Sequence, residues 1–334
     1  MLEASRPRTA SRPLVEYRRL DAREPLAPDV LAAIAFGAAT ELPRDPRCIR
    51  APLEPRIGAG LAQVWHGTGP VRLGQSGLVR YAQDGRHLMG WLEVEEVAYG
   101  NIAAAAEAAY AALLEFAAAS ACPHVWRIWN FIADINAGQG DDERYKQFCL
   151  GRAAAYAAYA AYAAAGDRRP GIGFPAATAV GTLDGRRRLQ LCWLAGTEDG
   201  HPLENPRQVS AFRYPRQYGP AAPSFSRAML TPDGTLLISG TASIVGHGSL
   251  HPDDATAQLE ETLRNLDALL EAASARGFER SRGAPLLTVF LRRPLDAQWV
   301  ADRLRAHYAA EAGIVVLDAA ICRAELLLEI EAIR

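Results

Sequence analysis

The sequence is poor in the groupings that build disulfide frames and metal centres. Its five cysteines, at 48, 122, 149, 192 and 322, are odd in number, widely spaced and never in a Cys-x-x-Cys pair. That pattern excludes a stapled scaffold or a zinc ribbon and points to reduced thiols in a cytoplasm. His247 and His251 are four apart, but they flank Gly248 and precede Pro252, which places them in a loop without further ligands, and no metal is expected. Charge of one sign is also missing. The 36 basic and 38 acidic residues leave a net charge of −2, and no basic run is long enough to follow a nucleic-acid backbone, so no nucleic-acid partner is expected. Long lipid-compatible runs are absent too: residues 102–121 and 153–165 are alanine-rich but hold Glu107, Glu115 and tyrosines, the pattern of packed helices, and no membrane is expected. Residues 1–13 carry arginines and no apolar core, which reads as a frayed tail and not a secretory signal. There is no nucleophile triad and no phosphate loop. Gly171-Ile172-Gly173 follows a helix instead of opening one and fails as a dinucleotide fingerprint.

What is present is an order of short strands and helices that occurs twice. At 334 residues the chain is long enough for two domains. Strand patterns at 61–65, 77–82 and 87–94 are followed by a helix at 101–120 with Asn101 as its N-cap. Then come a strand at 125–135, a helix at 141–165 opened by Asp141, Asp142 and Glu143 and stopped at Gly166 ahead of Pro170, and strands at 176–183 and 188–194. The second half repeats this with strands at 226–230 and 235–243, a helix at 252–275, a strand at 286–292, a helix at 296–311, and strands at 314–322 and 326–333. Asp84-Gly85 and Asp233-Gly234 mark the matching hairpins, and Leu113-Leu114-Glu115 answers Leu269-Leu270-Glu271. The unit is β-β-α-β-α-β-β, an α+β mixed sheet with two helices packed on one face, used twice. The expected organisation is an N-terminal extension over 1–56, with one helical candidate at 28–39, a first domain over 57–196, a linker over 197–223 and a second domain over 224–334. Five prolines at 202, 206, 215, 220 and 223 predict a linker without regular structure.

Four stretches carry side chains suited to chemistry. In the last strand pattern Leu326, Leu328, Ile330 and Ala332 share one face and Leu327, Glu329, Glu331 and Ile333 the other. If the second face meets water, the glutamates are ordinary surface charges. If it lines a dry cleft, Glu329 becomes a general acid usable near neutral pH. In the linker, Phe212-Arg213-Tyr214-Pro215-Arg216-Gln217-Tyr218-Gly219-Pro220 interleaves guanidinium groups with phenols, which suits a planar or carboxylate-bearing ligand, or else clamps the linker to the surface. On the helix at 141–165, Arg144, Phe148 and Arg152 form one face with Tyr145 beside it; the alternative is basic side chains lying over a core. Gly240, Thr241 and Ala242 leave room for a ligand against backbone, or serve only packing.

Ser239-Gly240-Thr241, the helix through Leu263-Arg264-Asn265-Leu266 and the closing Glu329-Ile330-Glu331-Ala332 resemble the YjgF-like (reactive-intermediate deaminase, chorismate-mutase-like) fold. From residue 61 on the chain resembles the chorismatases, which carry two such units; the most specific matches are Arg213-Tyr214-Pro215-Arg216-Gln217-Tyr218-Gly219-Pro220 and the pair Cys322 with Glu329. The resemblance implies that Glu329 protonates the enolpyruvyl methylene of chorismate, that pyruvate is lost, and that no metal or organic cofactor takes part. It further implies that Arg152, Tyr145, Tyr214 and Arg216, with Arg323, hold the carboxylates and the ring beside Gly240 and Ala242, and that Cys322 shapes the pocket.

Branches of the family differ in product. One adds water to give a dihydroxycyclohexadiene carboxylate; another gives 3-hydroxybenzoate through an arene oxide; a mixed branch also releases 4-hydroxybenzoate. Cys322, and Gly240 where the hydrolase branch places alanine, resemble the 3-hydroxybenzoate synthase branch. The competing expectations are a non-catalytic aromatic-acid binder on the same fold and an imine deaminase, to which the duplication and the Tyr-Arg linker are foreign. Single-unit relatives form threefold rings with sites between subunits, so a monomer or a homotrimer is expected. Cys322 and Glu329 are seven apart and share a pocket only if Arg323-Ala324-Glu325 turns.

Overall fold

The computed structural model describes residues 14–164, 173–281, 283–292 and 294–334. The expected tail at 1–13, the helix stop at Gly166 and Pro170, and Gly171-Ile172 lie outside them. The N-terminal strands are β1 (Val15–Arg19), β2 (Val30–Phe36), β3 (Cys48–Ala51), β4 (Pro55–Ile57) and β5 (Leu61–His66). The first unit contains β6 (Arg72–Ser76), β7 (Val79–Gln83), β8 (His87–Glu95), α1 (Ile102–Ala119), β9 (His124–Ala133), α2 (Arg144–Ala164), β10 (Ala176–Thr182) and β11 (Arg188–Gly196). The rest of the chain forms β12 (His201–Leu203), β13 (Ala228–Leu230), β14 (Leu236–Thr241), β15 (Ile244–Val245), β16 (Gly248–Ser249), α3 (Ala255–Ser274), β17 (Leu286–Leu291), α4 (Ala297–His307), β18 (Gly313–Asp318), β19 (Ala320–Ile321) and β20 (Leu328–Ile333).

The expected duplication is present strand for strand. One sheet runs β10-β9-β11-β8-β7 and the other β18-β17-β20-β14-β13, with one parallel pair in each, β9 with β10 and β17 with β18. Both hairpins turn where the sequence places them, with Gly85 and Gly234 at φ of 90° and 83°, a conformation open to glycine. Asn101 caps α1 by accepting from the Ala104 N–H, and Asp254 caps α3 by accepting from the Ala257 N–H. Helix α1 is long and apolar enough to cross a membrane, yet Ala105, Ala109, Tyr110 and Leu113 are buried with α2 against the sheet, as in a core helix.

The N-terminal segment departs from expectation. The helical candidate at 28–39 is strand β2, buried at all seven positions; a short continuous apolar run is a two-faced buried strand as readily as a helix, and here the sheet decides. The order β1-β5-β2-β3, with β2 and β3 parallel, reproduces β8-β11-β9-β10 of the first unit without its helices. The strand at 61–65 therefore belongs to this third sheet and not to the first unit. Both large sheets are completed by strangers: β4 from the N-terminal segment pairs with β18, and β19 from the second half pairs with β10. The linker does hold regular structure, since β12 pairs with β13 and two short 3-10 turns follow at Ala211–Arg213 and Arg216–Tyr218. A central core is shared by the inner faces of all three sheets, with Phe36 and Trp65 from the first, Trp129 and Phe131 from the next, and Phe290 and Val315 from the last.

Candidate active site

A cavity of about 440 Å³ opens where the first unit's β10 meets β14 and β20 of the second. The seam is closed by two side-chain bridges: the Ala177 N–H donates to Ser239 Oγ at 2.9 Å and the Gly240 N–H to Thr178 Oγ1 at 3.0 Å. Of the residues expected at the site, Glu329, Cys322, Arg152, Tyr145, Tyr214, Gly240, Ala242 and Arg323 all line this cavity. Arg216 does not. It stands in solvent and holds Asp141 through two hydrogen bonds of 2.9 and 2.5 Å, because Pro215 and the following 3-10 turn direct it away from the wall that Tyr214 and Tyr218 form. Arg144 is also elsewhere, buried in a bidentate pair with Glu96.

The closing segment is not one strand. Strand β19 ends at Ile321, the chain turns with the Leu326 N–H donating to the Arg323 carbonyl at 3.1 Å, and β20 begins at Leu328. The turn brings Cys322 and Glu329 to one cavity despite their odd spacing. It also swings Leu326 into the central core, while Leu328, Ile330 and Ala332 face the helices as the alternation predicts. The face of Glu329 and Glu331 does not meet water: these residues are 5% and 4% exposed. Burial, with the Glu331 carboxylate adding to it, pushes the Glu329 carboxyl up to about 8, so it holds its proton at neutral pH. Burial and the neighbouring Glu329 likewise push the Cys322 thiol up, which leaves a neutral S–H as wall and no ready thiolate nucleophile.

The cavity that Glu329 lines is also lined by arginines. Arg152, 1% exposed, has its guanidinium over the rings of Phe148 and Tyr110 at 5.0 and 5.8 Å and donates to Cys149 Sγ at 3.6 Å; its Nε has no partner, and no carboxylate faces it among the described residues. A buried guanidinium without a counter-charge is costly and suits an anionic ligand. Arg323 is fixed by donation to the His247 carbonyl at 2.9 Å and Ser249 Oγ at 3.0 Å, and lies 4.1 Å over the Tyr218 ring. Tyr218 bonds His247 Nδ1 at 3.1 Å, while His251 reaches toward Glu261, so the two histidines serve different partners. Burial raises the Tyr145 phenol well above its ordinary range, leaving it a neutral donor.

Sequence reading missed Arg227, Thr178 and Lys146, which also line the cavity, and the role of Glu331 behind it. Arg227 is buried just ahead of β13 and donates to the Tyr214 hydroxyl at 2.6 Å and the Val209 carbonyl at 3.0 Å. Only an arginine preceding a buried strand, Ser226-Arg227-Ala228, hinted at it. Glu331 accepts from Arg127 Nη2 at 2.5 Å, Thr178 Oγ1 at 2.7 Å and Trp129 Nε1 at 3.1 Å. Arg127 and Trp129 alternate in β9, which places both on the inner face, but their carboxylate partner lies about two hundred residues away.

Comparison with known proteins agrees with this geometry. Residues 63–195 match the family described as chorismatase FkbO/Hyg5-like, N-terminal. A 3-hydroxybenzoate synthase of Streptomyces hygroscopicus is 34% identical over 286 residues, 81% of each chain. A chorismatase of Streptomyces rapamycinicus is 34% identical over 291 residues, 83% of each chain. A crystal structure of a chorismatase superposes with a TM-score of 0.81 at 28% identity, over 96% of this chain and 97% of that one. An inter-unit cavity with a protonated glutamate, and relatives matched over four-fifths of their length, lead to one conclusion: the chain belongs to the chorismatase family.

Proposed function

We propose that the protein converts chorismate into 3-hydroxybenzoate and pyruvate, with Glu329 as the general acid. The observation that carries this is a carboxyl held protonated to about pH 8 in the wall of a cavity that is also lined by a buried Arg152, which no carboxylate faces among the described residues. Chorismate brings two carboxylates and a flat ring. Arg152 and Arg227 are fixed cations for the carboxylates, and Tyr145, Tyr214 and Tyr218 are walls for the ring.

In this reading the Glu329 proton moves to the enolpyruvyl methylene carbon and leaves an oxocarbenium-like centre on the ether. The neighbouring ring hydroxyl attacks the ring carbon that bears the ether. The carbon–oxygen bond breaks, pyruvate departs, and the hydroxyl proton returns to the Glu329 carboxylate. The arene oxide that remains opens and aromatises to 3-hydroxybenzoate. Atoms balance without water, so the site must keep water from the cationic centre. The lack of a side chain at Gly240, directly against the Glu329 carboxyl, lets the acid sit flush with backbone. The neutral thiol of Cys322 supplies part of the cavity wall.

The acid acts only when protonated, so turnover is expected to be level at low pH and to fall as pH rises through about 8. The test is to incubate the protein with chorismate and follow pyruvate and aromatic products together by chromatography. Equal amounts of pyruvate and 3-hydroxybenzoate are expected, and Glu329→Gln should lower turnover by about a hundredfold or more while leaving chorismate binding intact. A dihydrodiol or 4-hydroxybenzoate in place of the main product would keep the acid and overturn the branch. Unchanged turnover in the Gln variant would remove Glu329 from the chemistry. We further propose that the protein works as a monomer, because the N-terminal sheet already covers the inner faces of the two units, and that it works in the cytoplasm, where its five free cysteines stay reduced.

A further inference from the structure

The chemistry described above uses Glu329 and leaves unexplained the buried charges behind it. Arg127 and Glu331 form an ion pair with side chains 2% and 5% exposed, deep between the sheets. Such a pair is weak support for stability, since packed apolar residues in its place are often as good or better. The threefold repetition of sheets makes the point internally. Position by position, Thr288↔Glu331 of the last sheet corresponds to Trp129↔Cys192 of the first unit and Ile34↔Gln63 of the N-terminal sheet. Two residues earlier on the neighbouring strands, Arg127 corresponds to Leu286 and Ala32. The same inner positions are thus filled by neutral residues in the other two sheets, and the core shared by the three sheets does not need a charged pair there. Where Glu329 sits, the counterparts are Gln190 and Leu61. Charge behind the strand occurs only where the acid does.

We propose that the buried Arg127–Glu331 pair is a positioning device: it fixes a carboxylate on the same strand face as Glu329, so that the Glu329 carboxyl keeps its proton. Glu331 stands two residues from Glu329 on the same face of β20, and it is immobilised by Arg127, Thr178 and Trp129. Thr178 Oγ1, which donates to Glu331, also accepts from Arg127 and from the Gly240 N–H, so one hydroxyl ties the pair to the backbone against which Glu329 rests. A carboxylate fixed on the same strand face opposes ionisation of its neighbour, and Arg127 holds Glu331 in that place. The other charged or titratable groups near Glu329 are Arg227 ahead of β13, Cys322 in the turn and Tyr145 on α2. Arg127 and Arg227 favour the carboxylate form; the Glu331 repulsion exceeds either and works with burial.

This rests on Glu329 being the acid, and the test separates the two claims. The pH profile of chorismate turnover would be measured for wild type, Glu331→Gln and the double variant Glu331→Gln/Arg127→Gln, with circular dichroism to confirm folding. Removing Glu331 alone leaves Arg127 pulling the proton off. The basic limb should then move down by about one pH unit or more, a roughly tenfold loss above the limb with little change well below it. Removing Arg127 as well should move the limb part of the way back. The expected order of limbs is single variant lowest, double variant between, wild type highest. A purely structural pair predicts uniform loss at every pH and no recovery in the double variant, and either result overturns the proposal. If the single variant does not fold, the double, which buries no lone guanidinium, must still show a limb below wild type. Should Glu329→Gln retain turnover, the general-acid reading falls; should it be inactive while the three limbs coincide, only the role of the pair falls.

Discussion

Gly240 and Glu329 compete for the same space. A methyl group built on Gly240 would land on Glu329 Oε1 and Cδ. Gly240 is not among the residues of positive φ, so an alanine meets no backbone penalty there, and the atoms in its way are the end of a flexible side chain. Gly240→Ala is therefore expected to fold with near-wild-type stability while pushing the carboxyl off its position against β14. Formation of 3-hydroxybenzoate should fall by about ten- to a hundredfold, as displacements near 1 Å at a reacting group do, and product analysis should show whether water now reaches the cationic centre. An unchanged rate with unchanged product would mean that the carboxyl acts from more than one position. At this scale the sequence was readable where side-chain type alone marks a residue: Glu329, Cys322, Gly240 and Ala242 all lie on the cavity wall. It was misleading for Arg216, whose type suits a carboxylate but whose turn points it to Asp141. It was silent on Arg227, which is singled out only by what folds around it.

Among the elements, the turn between β19 and β20 does the positioning, and its fastening is long-range. Gln258, fully buried on α3, donates to the His251 and Glu325 carbonyls at 3.0 and 2.9 Å and accepts from the Leu327 N–H at 2.8 Å. Arg292 donates to the Leu326 and Ile321 carbonyls at 2.7 and 2.9 Å and to Asn136 Oδ1 at 2.7 Å. Gln258→Leu keeps the volume but strands two carbonyls and an N–H. A loss of about 2–3 kcal/mol in urea unfolding is expected, together with a lower kcat because Cys322 and the entry to Glu329 lose their mooring. A full kcat in a destabilised variant would show that β20 alone aims the acid. The alternation of apolar and polar residues made β20 legible, and Asn101 made the start of α1 legible to within one residue, whereas α3 starts three residues after the expected 252 because Asp254 caps it instead of lying in its first turn. The break between the two closing strand patterns, at 323–325, was legible, but not what holds it: its fastening comes from a helix and a strand end far away in sequence.

In the whole molecule, the duplication visible in the sequence turns out to be two-thirds of a threefold arrangement. The N-terminal segment escaped detection because it keeps the strand order of the units and discards their helices, and with them the Asn101- and Asp254-type starts that mark a repeat. Its inner face is nevertheless structural for the whole: Trp65 is fully buried and meets Trp129 edge-on with ring centroids 5.6 Å apart, and Tyr17 bonds Thr288 Oγ1 at 2.8 Å across the seam to the second unit. With the third side filled from within the chain, the inner faces of all three sheets meet in one core among the described residues. The three seams are not equivalent either. The one between the units holds Glu329; at the matching position of β11, Gln190 donates to the Arg50 carbonyl at 3.1 Å and closes the cleft against β3, and in β5 the position is Leu61. Sedimentation equilibrium should therefore return the 36.1 kDa of one chain, and calorimetric titration of Glu329→Gln with chorismate should give one site per chain. A trimeric mass would mean that the N-terminal sheet leaves an assembly face open, and more than one site would mean that a seam lacking the acid still binds; one chain with one site makes the helix-less sheet the internal substitute for a partner subunit.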